Sequence, residues 1–140
     1  MGLTRDDKGE IVELCNRYAL AIDDDDIEAW LATWTDDGVM EASFGTARGK
    51  DNLRALQVQL EHGLSTGKRH VSVNHVVADA GDAGDAATAR SYFIIFDRGT
   101  NAVVATGVFA DDLRRVDGVW AFARRTLTTD PNWKQGQGAR

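Results

Sequence analysis

Residues 103–127, VVATGVFADDLRRVDGVWAFARRTL, carry the pattern that decides the fold. Apolar and polar residues alternate from Val103 to Leu113 and again from Val119 to Leu127, which is the period of a β-strand with one buried face. Asp117-Gly118 stands between the two runs and is a strong signal for a two-residue hairpin turn. The stretch therefore predicts two long antiparallel neighbours.

The same two-residue period extends upstream to Lys68. One run spans Val71 to Val77 and a second spans Tyr92 to Phe96. Turn residues at 81–85 and 98–101 separate the runs from one another and from the strand that follows. Four strands in succession predict an antiparallel meander.

The first half of the chain has helical periodicity instead. Thr4 and Asp7 predict a capped start for a helix over about 5–22, which an aspartate run at 23–26 ends. Any of Asp24 to Asp26 can cap a second, short helix. Its apolar positions are Ile27, Trp30, Leu31 and Trp34.

A strand and a third helix follow in the prediction. Thr35 to Gly38 is predicted to be a turn, Val39 to Phe44 a strand, and Gly45 to Gly49 a loop. Asp51 is placed to cap the third helix. That helix carries Leu53, Leu56, Leu60 and Leu64.

Helices followed by an antiparallel sheet define an α+β domain in which the helices cover one face of the sheet. A chain of 140 residues is long enough to bury a core, and one domain spanning 1–140 is expected. A pocket between the helices and the sheet is where a small ligand would bind.

The charge pattern argues against nucleic acid as a partner. Sixteen Lys and Arg residues against 22 Asp and Glu give a formal net charge of −6, and no basic patch stands out. The single cysteine, Cys15, excludes an intramolecular disulfide and is expected to be buried. Without an apolar leader at the N-terminus or a window of 18 apolar residues, we expect a cytoplasmic protein without a membrane partner.

The sequence predicts neither a nucleotide site nor a metal site. The glycines of Gly45 to Lys50 have the wrong spacing for a phosphate loop. Of the three histidines, His62 is on a predicted helix, whereas His70 and His75 fall on opposite faces of a strand unless a bulge intervenes. We therefore expect no cofactor.

Four ionisable residues stand near the ends of elements that would surround the pocket: Tyr18, Asp23, His70 and Arg125. Three further motifs accompany them, namely Asp36-Asp37-Gly38-Val39, Arg48-Gly49-Lys50 and Asp117-Gly118-Val119-Trp120. With this order of elements, the whole chain resembles the SnoaL-like branch of the nuclear transport factor 2 superfamily. The resemblance implies a cone-shaped α+β barrel, with three N-terminal helices packed on a curved antiparallel sheet that encloses a pocket.

Within that branch the chain is most similar to the group of scytalone dehydratase, bile-acid 7α-dehydratase and hexachlorocyclohexane dehydrochlorinase. In that group an Asp after helix one pairs with a His that opens the strand after helix three, and Asp23 and His70 occupy the matching places. Tyr18 and Arg125 match a Tyr and an Arg of the same group. The resemblance implies homotrimers formed through the open sheet face, with a dimer as the alternative.

This resemblance implies a cofactor-independent lyase that acts on a small hydrophobic, aromatic or polycyclic molecule. His70 would be the general base, Asp23 would orient it, and Arg125 with Tyr18 would stabilise negative charge. An isomerase or polyketide-type cyclase could use the same pair. A non-catalytic binding module or a partner subunit similar to the β subunit of ring dioxygenases is the third alternative.

Each of the four residues also has a structural alternative. His70 can be a hydrogen-bonded strand residue, Asp23 can cap the second helix, and Tyr18 can belong to the core. Strict alternation puts Arg125 on the face opposite Trp120 and Phe122, so either that face lines the pocket or a bulge re-aims the side chain. Arg124 is the alternative residue. Ser72 and Asn74 share a face with His70 on an ideal strand and are candidate substrate contacts. Trp34, Glu41 and Phe44 are further candidates.

Overall fold

A computed structural model describes residues 2–60 and 66–131. The expected place of Leu64 on the third helix lies outside them. None of the helices among the described residues is long and apolar enough to cross a membrane. The elements are α1 (Arg5–Asp23), α2 (Ile27–Leu31), β1 (Trp34–Ala42), β2 (Gly45–Arg48), α3 (Lys50–Leu60), β3 (Lys68–Asp79), β4 (Ala86–Asp97), β5 (Val103–Val116) and β6 (Val119–Thr129).

The six strands form one curved sheet in the order β2-β1-β6-β5-β4-β3. β3 to β6 pair antiparallel with their neighbours in the chain, which confirms the meander. β1 pairs in parallel with β6, so the sheet is mixed rather than purely antiparallel. The α+β fold is confirmed, but the sheet is open, with β2 and β3 as its edges in the described part, and is not a closed barrel.

The helix α1 begins as the sequence predicts, with a capping box. The Thr4 hydroxyl accepts the Asp7 N–H at 3.0 Å, and the Asp7 carboxylate accepts the Thr4 N–H at 2.9 Å. The same carboxylate accepts hydrogen bonds from Arg115 and from the Trp120 indole, so it fastens the start of α1 to the β5–β6 hairpin. These contacts, the Thr4 backbone bond above all, lower the pKa of Asp7.

The prediction for residues 34–38 was wrong in two places. Trp34 stands four residues after Trp30, as a helical residue would, but it begins β1 because it pairs with Phe122 of β6. The predicted turn from Thr35 to Gly38 lies within β1, where the register shifts between Trp34 and Val39. Tertiary pairing overrides local propensity here.

Two further boundaries differ from the prediction. The expected loop from Gly45 contains β2, which pairs antiparallel with β1 and is one edge of the sheet. The helix α3 starts at Lys50 after Gly49, which has φ +81°, so Asp51 lies in its first turn rather than at its cap. A carboxylate in the first turn still interacts favourably with the helix dipole.

The inner face of the sheet, on which α1 packs, holds the core. Buried on it are the alternate residues Phe93, Phe109, Leu113, Trp120 and Phe122, against Ile11, Leu14 and Tyr18 of α1. The outer face is open and carries two shallow cavities of about 520 and 360 Å³. The inner face therefore positions the site, and the outer face is a separate surface.

Candidate active site

The four aspartates at the end of α1, Asp23 to Asp26, make different contacts. Asp24 is the C-cap of α1, Asp25 turns the chain with φ +54°, and Asp26 is the N-cap of α2, where its side chain accepts the Ala29 N–H at 3.0 Å. The capping alternative for Asp23 is therefore wrong, since Asp26 does that work. The Asp23 carboxylate is left for a long-range contact.

That contact is with His70 at the start of β3. The Asp23 Oδ1 atom lies 2.7 Å from the His70 ring Nδ1, and the two carboxylate oxygens accept the His70 backbone N–H at 3.0 and 3.1 Å. A carboxylate accepts only, so Nδ1 carries a proton, and in the neutral imidazole Nε2 keeps its lone pair. The His70 and Asp23 side chains are 14% and 11% exposed, so the pair is largely buried but still in contact with solvent.

A bulge in β3 brings a second histidine to the same face. The pairing with β4 shifts between Val73 and Val76, and Asn74 has φ +58°. His75 therefore lies on the face of His70, where its Nε2 is 2.8 Å from the Ser72 hydroxyl. Asn74 itself is exposed at the bulge, so its expected position on the face of His70 is corrected.

A second bulge, in β6, turns Arg125 inward. Asp112 pairs with Arg124 but Leu113 pairs with Phe122, so Ala123 is the extra residue. Arg125 is thereby fully buried on the side of Phe122, as the bulge alternative required, and lies directly opposite Asp111 of β5.

The Arg125 guanidinium is held by charge and by aromatic rings. Its Nε and one terminal nitrogen donate to the Asp111 carboxylate at 2.9 and 3.3 Å. Its Cζ lies 3.5 Å from the Phe109 ring centre and 4.3 Å from those of Tyr18 and Phe122. The other terminal nitrogen, Nη1, is buried and has no hydrogen-bond partner among the described residues.

Burial and the Arg125 cation shift the pKa values of the ionisable groups around them. Burial raises the pKa of Asp111, and the Arg125 charge opposes that rise. Burial likewise raises the pKa of the Tyr18 hydroxyl and raises that of Cys15 to about 11, so both groups are neutral. Burial and the Arg125 charge together lower the pKa of His75. The inner face thus presents neutral acid–base groups around one paired cation.

Tyr18 lies at the centre of the aromatic core. Its ring centre is 5.7 Å from that of Trp30 and 6.1 Å from that of Trp34, and all three side chains are buried. The indole N–H groups of both tryptophans have no hydrogen-bond partner among the described residues. Trp34 therefore lines the interior beside Tyr18.

The remaining predicted contacts lie elsewhere. Glu41 accepts a hydrogen bond from Arg124 at 3.0 Å on the surface, so the alternative arginine is engaged there. Phe44 is 42% exposed between β1 and β2. We do not include Glu41, Phe44 or Asn74 in the site proposed below.

Two residues of the site were not predicted. Asp111 has a signal in the sequence, because it alternates in phase with Phe109 and Leu113 and so belongs to the buried face of β5. His75 has none, since its position depends on the bulge at Asn74. Within residues 2–60 and 66–131, no three His, Cys, Asp or Glu side chains lie close enough to hold a metal ion.

A curved open sheet, helices on its inner face and ionisable side chains between them define an α+β domain of the nuclear transport factor 2-like class. Residues 4–126 match the family described as a SnoaL-like domain, and the chain belongs to that family. No curated protein matches the chain.

Solved structures agree with this family. A protein of unknown function with a cystatin-like fold from Nostoc punctiforme is 34% identical, with a TM-score of 0.88 over 94% of this chain and 96% of that chain. A ketosteroid isomerase-like protein from Erwinia carotovora is 25% identical, with a TM-score of 0.71 over 90% and 98%. A proposed scytalone dehydratase from Novosphingobium aromaticivorans shares the fold, at 23% identity and a TM-score of 0.74 over 88% and 83%.

Proposed function

We propose that this chain, acting as one domain, is a cofactor-independent lyase that eliminates water or another small group from a hydrophobic, aromatic or polycyclic molecule. The observation that carries the proposal is the 2.7 Å contact between Asp23 Oδ1 and His70 Nδ1. A histidine that a carboxylate orients, and whose second nitrogen has no hydrogen-bond partner among the described residues, has the arrangement of a general base. The scytalone dehydratase group, which the chain resembles, supplies the reaction class.

The proton steps follow from the geometry of the pair. The free His70 Nε2 takes a proton from a carbon next to a carbonyl or aromatic system, and the electron pair of that C–H bond forms the new double bond. The bond to the leaving hydroxyl breaks with its electrons on oxygen. Asp23 stabilises the imidazolium formed, which returns the proton to the leaving oxygen so that water departs.

Arg125 and Tyr18 are proposed to stabilise the negative charge that develops on substrate oxygen. The buried Nη1 of Arg125 has no hydrogen-bond partner among the described residues, and burial strengthens the field of the cation. Tyr18 is neutral and stands beside the guanidinium. A donor and a fixed cation can thus act without reorganising.

Product mass separates this proposal from the alternatives. On incubation with a panel of hydroxylated aromatic and steroid-like compounds, we expect a product lighter than the substrate by one water molecule, detected by mass spectrometry. A product of unchanged mass but altered structure would instead indicate an isomerase or a cyclase. Binding without any product, with no effect of His70 substitution, would indicate a binding module or a partner subunit.

We also propose that the chain forms a homotrimer through the outer face of the sheet. The two cavities lie on this face, and Val76 and Tyr92 are 69% and 43% exposed there. Arg90 and Asp112 place opposite charges on the same face, so that neighbouring copies can pair them.

Light scattering should therefore give three times the mass of one chain for the wild type. Val76→Lys should lower that mass, because it places a cation in an apolar contact. Val58→Lys, a change at another exposed valine on α3, is the matched control and should leave the assembly intact. A wild-type monomer contradicts the interface, and a dimer contradicts the trimer.

A further inference from the structure

Asn74, with its left-handed φ of +58°, determines which way the next side chain of β3 points. A positive φ at a non-glycine residue costs free energy, and bulges next to active sites commonly re-aim a side chain. The side chain that this bulge re-aims is His75, which regular alternation from His70 would put on the outer face. The bulge therefore turns His75 toward the interior.

The re-aimed histidine has a single hydrogen-bond partner among the described residues. Its Nε2 bonds the Ser72 hydroxyl at 2.8 Å, and Ser72 stands two residues from His70 on the same face. At about 3.3 Å per strand residue, Ser72 and His70 lie within reach of one small molecule. Ser72 and His75 are both partly exposed, as a recognition point for a bound molecule requires.

Burial and the charge of Arg125 lower the pKa of His75, so its imidazole is neutral and a weaker base. Arg125 of β6 faces it with a positive charge, and Asp111 of β5 is committed to Arg125. The neutral imidazole fixes one hydrogen bond of the Ser72 hydroxyl, which has one donor and two acceptor sites. At least one donor or acceptor position of the Ser72 hydroxyl therefore remains unused. A substrate hydroxyl can bond to it in either tautomer of His75, because a hydroxyl both donates and accepts.

We propose that His75 is a positioning residue which, through its hydrogen bond to Ser72, makes the Ser72 hydroxyl the recognition point for a hydroxyl group on the substrate. The inference rests on the proposed function in assuming that substrate binds on the His70 face. It adds a requirement to the substrate class: the molecule carries a hydroxyl within reach of the carbon that His70 deprotonates.

The test compares two probes that differ only in the hydroxyl, α-tetralol and its parent tetralin, with binding followed on the histidine ring signals by NMR. We expect the wild type to bind α-tetralol about fivefold more tightly, the scale of one net hydrogen bond. Ser72→Ala and His75→Phe should both abolish this preference. His75→Gln should keep it, because the glutamine amide reaches the position of Nε2. Val58→Gln, at an exposed position on α3, is the control that should also keep it.

The outcomes are separable from those of the proposed function. Equal binding of the two probes by the wild type, or binding of neither, overturns the inference. A preference that survives His75→Phe also overturns it, because Ser72 would then act alone. A hydroxyl preference that requires His75, found together with no elimination of any substrate, would instead remove the proposed function and leave this recognition point standing.

Discussion

We expect turnover of a confirmed substrate to fall by about two to four orders of magnitude when His70, the proposed general base, is replaced by alanine, because a positioned base contributes that much. Asp23→Asn should cause a loss in the same range. The amide can donate to Nδ1, and the ring then carries its proton on Nε2, where it cannot accept one. Both losses are measured as kcat/KM on the product identified by mass.

Two comparisons distinguish the loss of the proposed base from a loss of folded structure. Asp23 also accepts the His70 backbone N–H, so its replacement can loosen the contact of α1 with β3, whereas His70→Ala keeps that backbone bond. Asp24→Asn changes the neighbouring, exposed carboxylate and should leave activity at the wild-type level. Full activity in folded His70→Ala would remove the lyase proposal.

Arg125→Met should destabilise the protein by about 3–5 kcal/mol, because it leaves the Asp111 carboxyl buried without its cation. The double variant Arg125→Met with Asp111→Leu removes both charges and should recover most of that loss. Urea unfolding of the two single variants, the double variant and the wild type measures the coupling. A loss of stability in the double variant equal to the sum of the two single losses would show that the two residues do not depend on each other.

The adjacent arginine supplies the control. Arg124 pairs with Glu41 on the surface, and exposed pairs of this kind contribute about 0–1 kcal/mol, so Arg124→Met should change stability little. The double variant also tests the proposed chemistry, because it is expected to fold yet lacks the cation. Its activity should be lower by about two to three orders of magnitude, as on removal of an oxyanion donor.

The parts of this molecule that follow from local pattern could be predicted from the sequence. Thr4 and Asp7 form the expected capping box, and α1 ends at the aspartate run. Asp117-Gly118 joins β5 to β6 as the hairpin signal indicates. In each case the signal consists of residues a few positions apart, whose interactions do not depend on the rest of the fold.

The parts that depend on pairing between distant strands could not be predicted. Trp34 has helical spacing from Trp30, and only its pairing with β6 makes it a strand residue. One extra residue in β3 and one in β6 reverse the faces of His75 and Arg125, and alternation alone does not place such a bulge. Asp23 and His70 are 47 positions apart, and their contact was predicted from a family resemblance rather than from their spacing.

The bulge at Asn74 also bears on how the protein avoids self-polymerisation. β3 is an edge strand of the open sheet in the described part of the chain, and its 12 residues make it long. A long, regular edge offers unpaired amide and carbonyl groups to another chain and invites fibril-like stacking. The irregular backbone at Asn74 twists that edge and shortens its regular stretches, so the residue that turns His75 inward also protects the molecule against edge-to-edge aggregation.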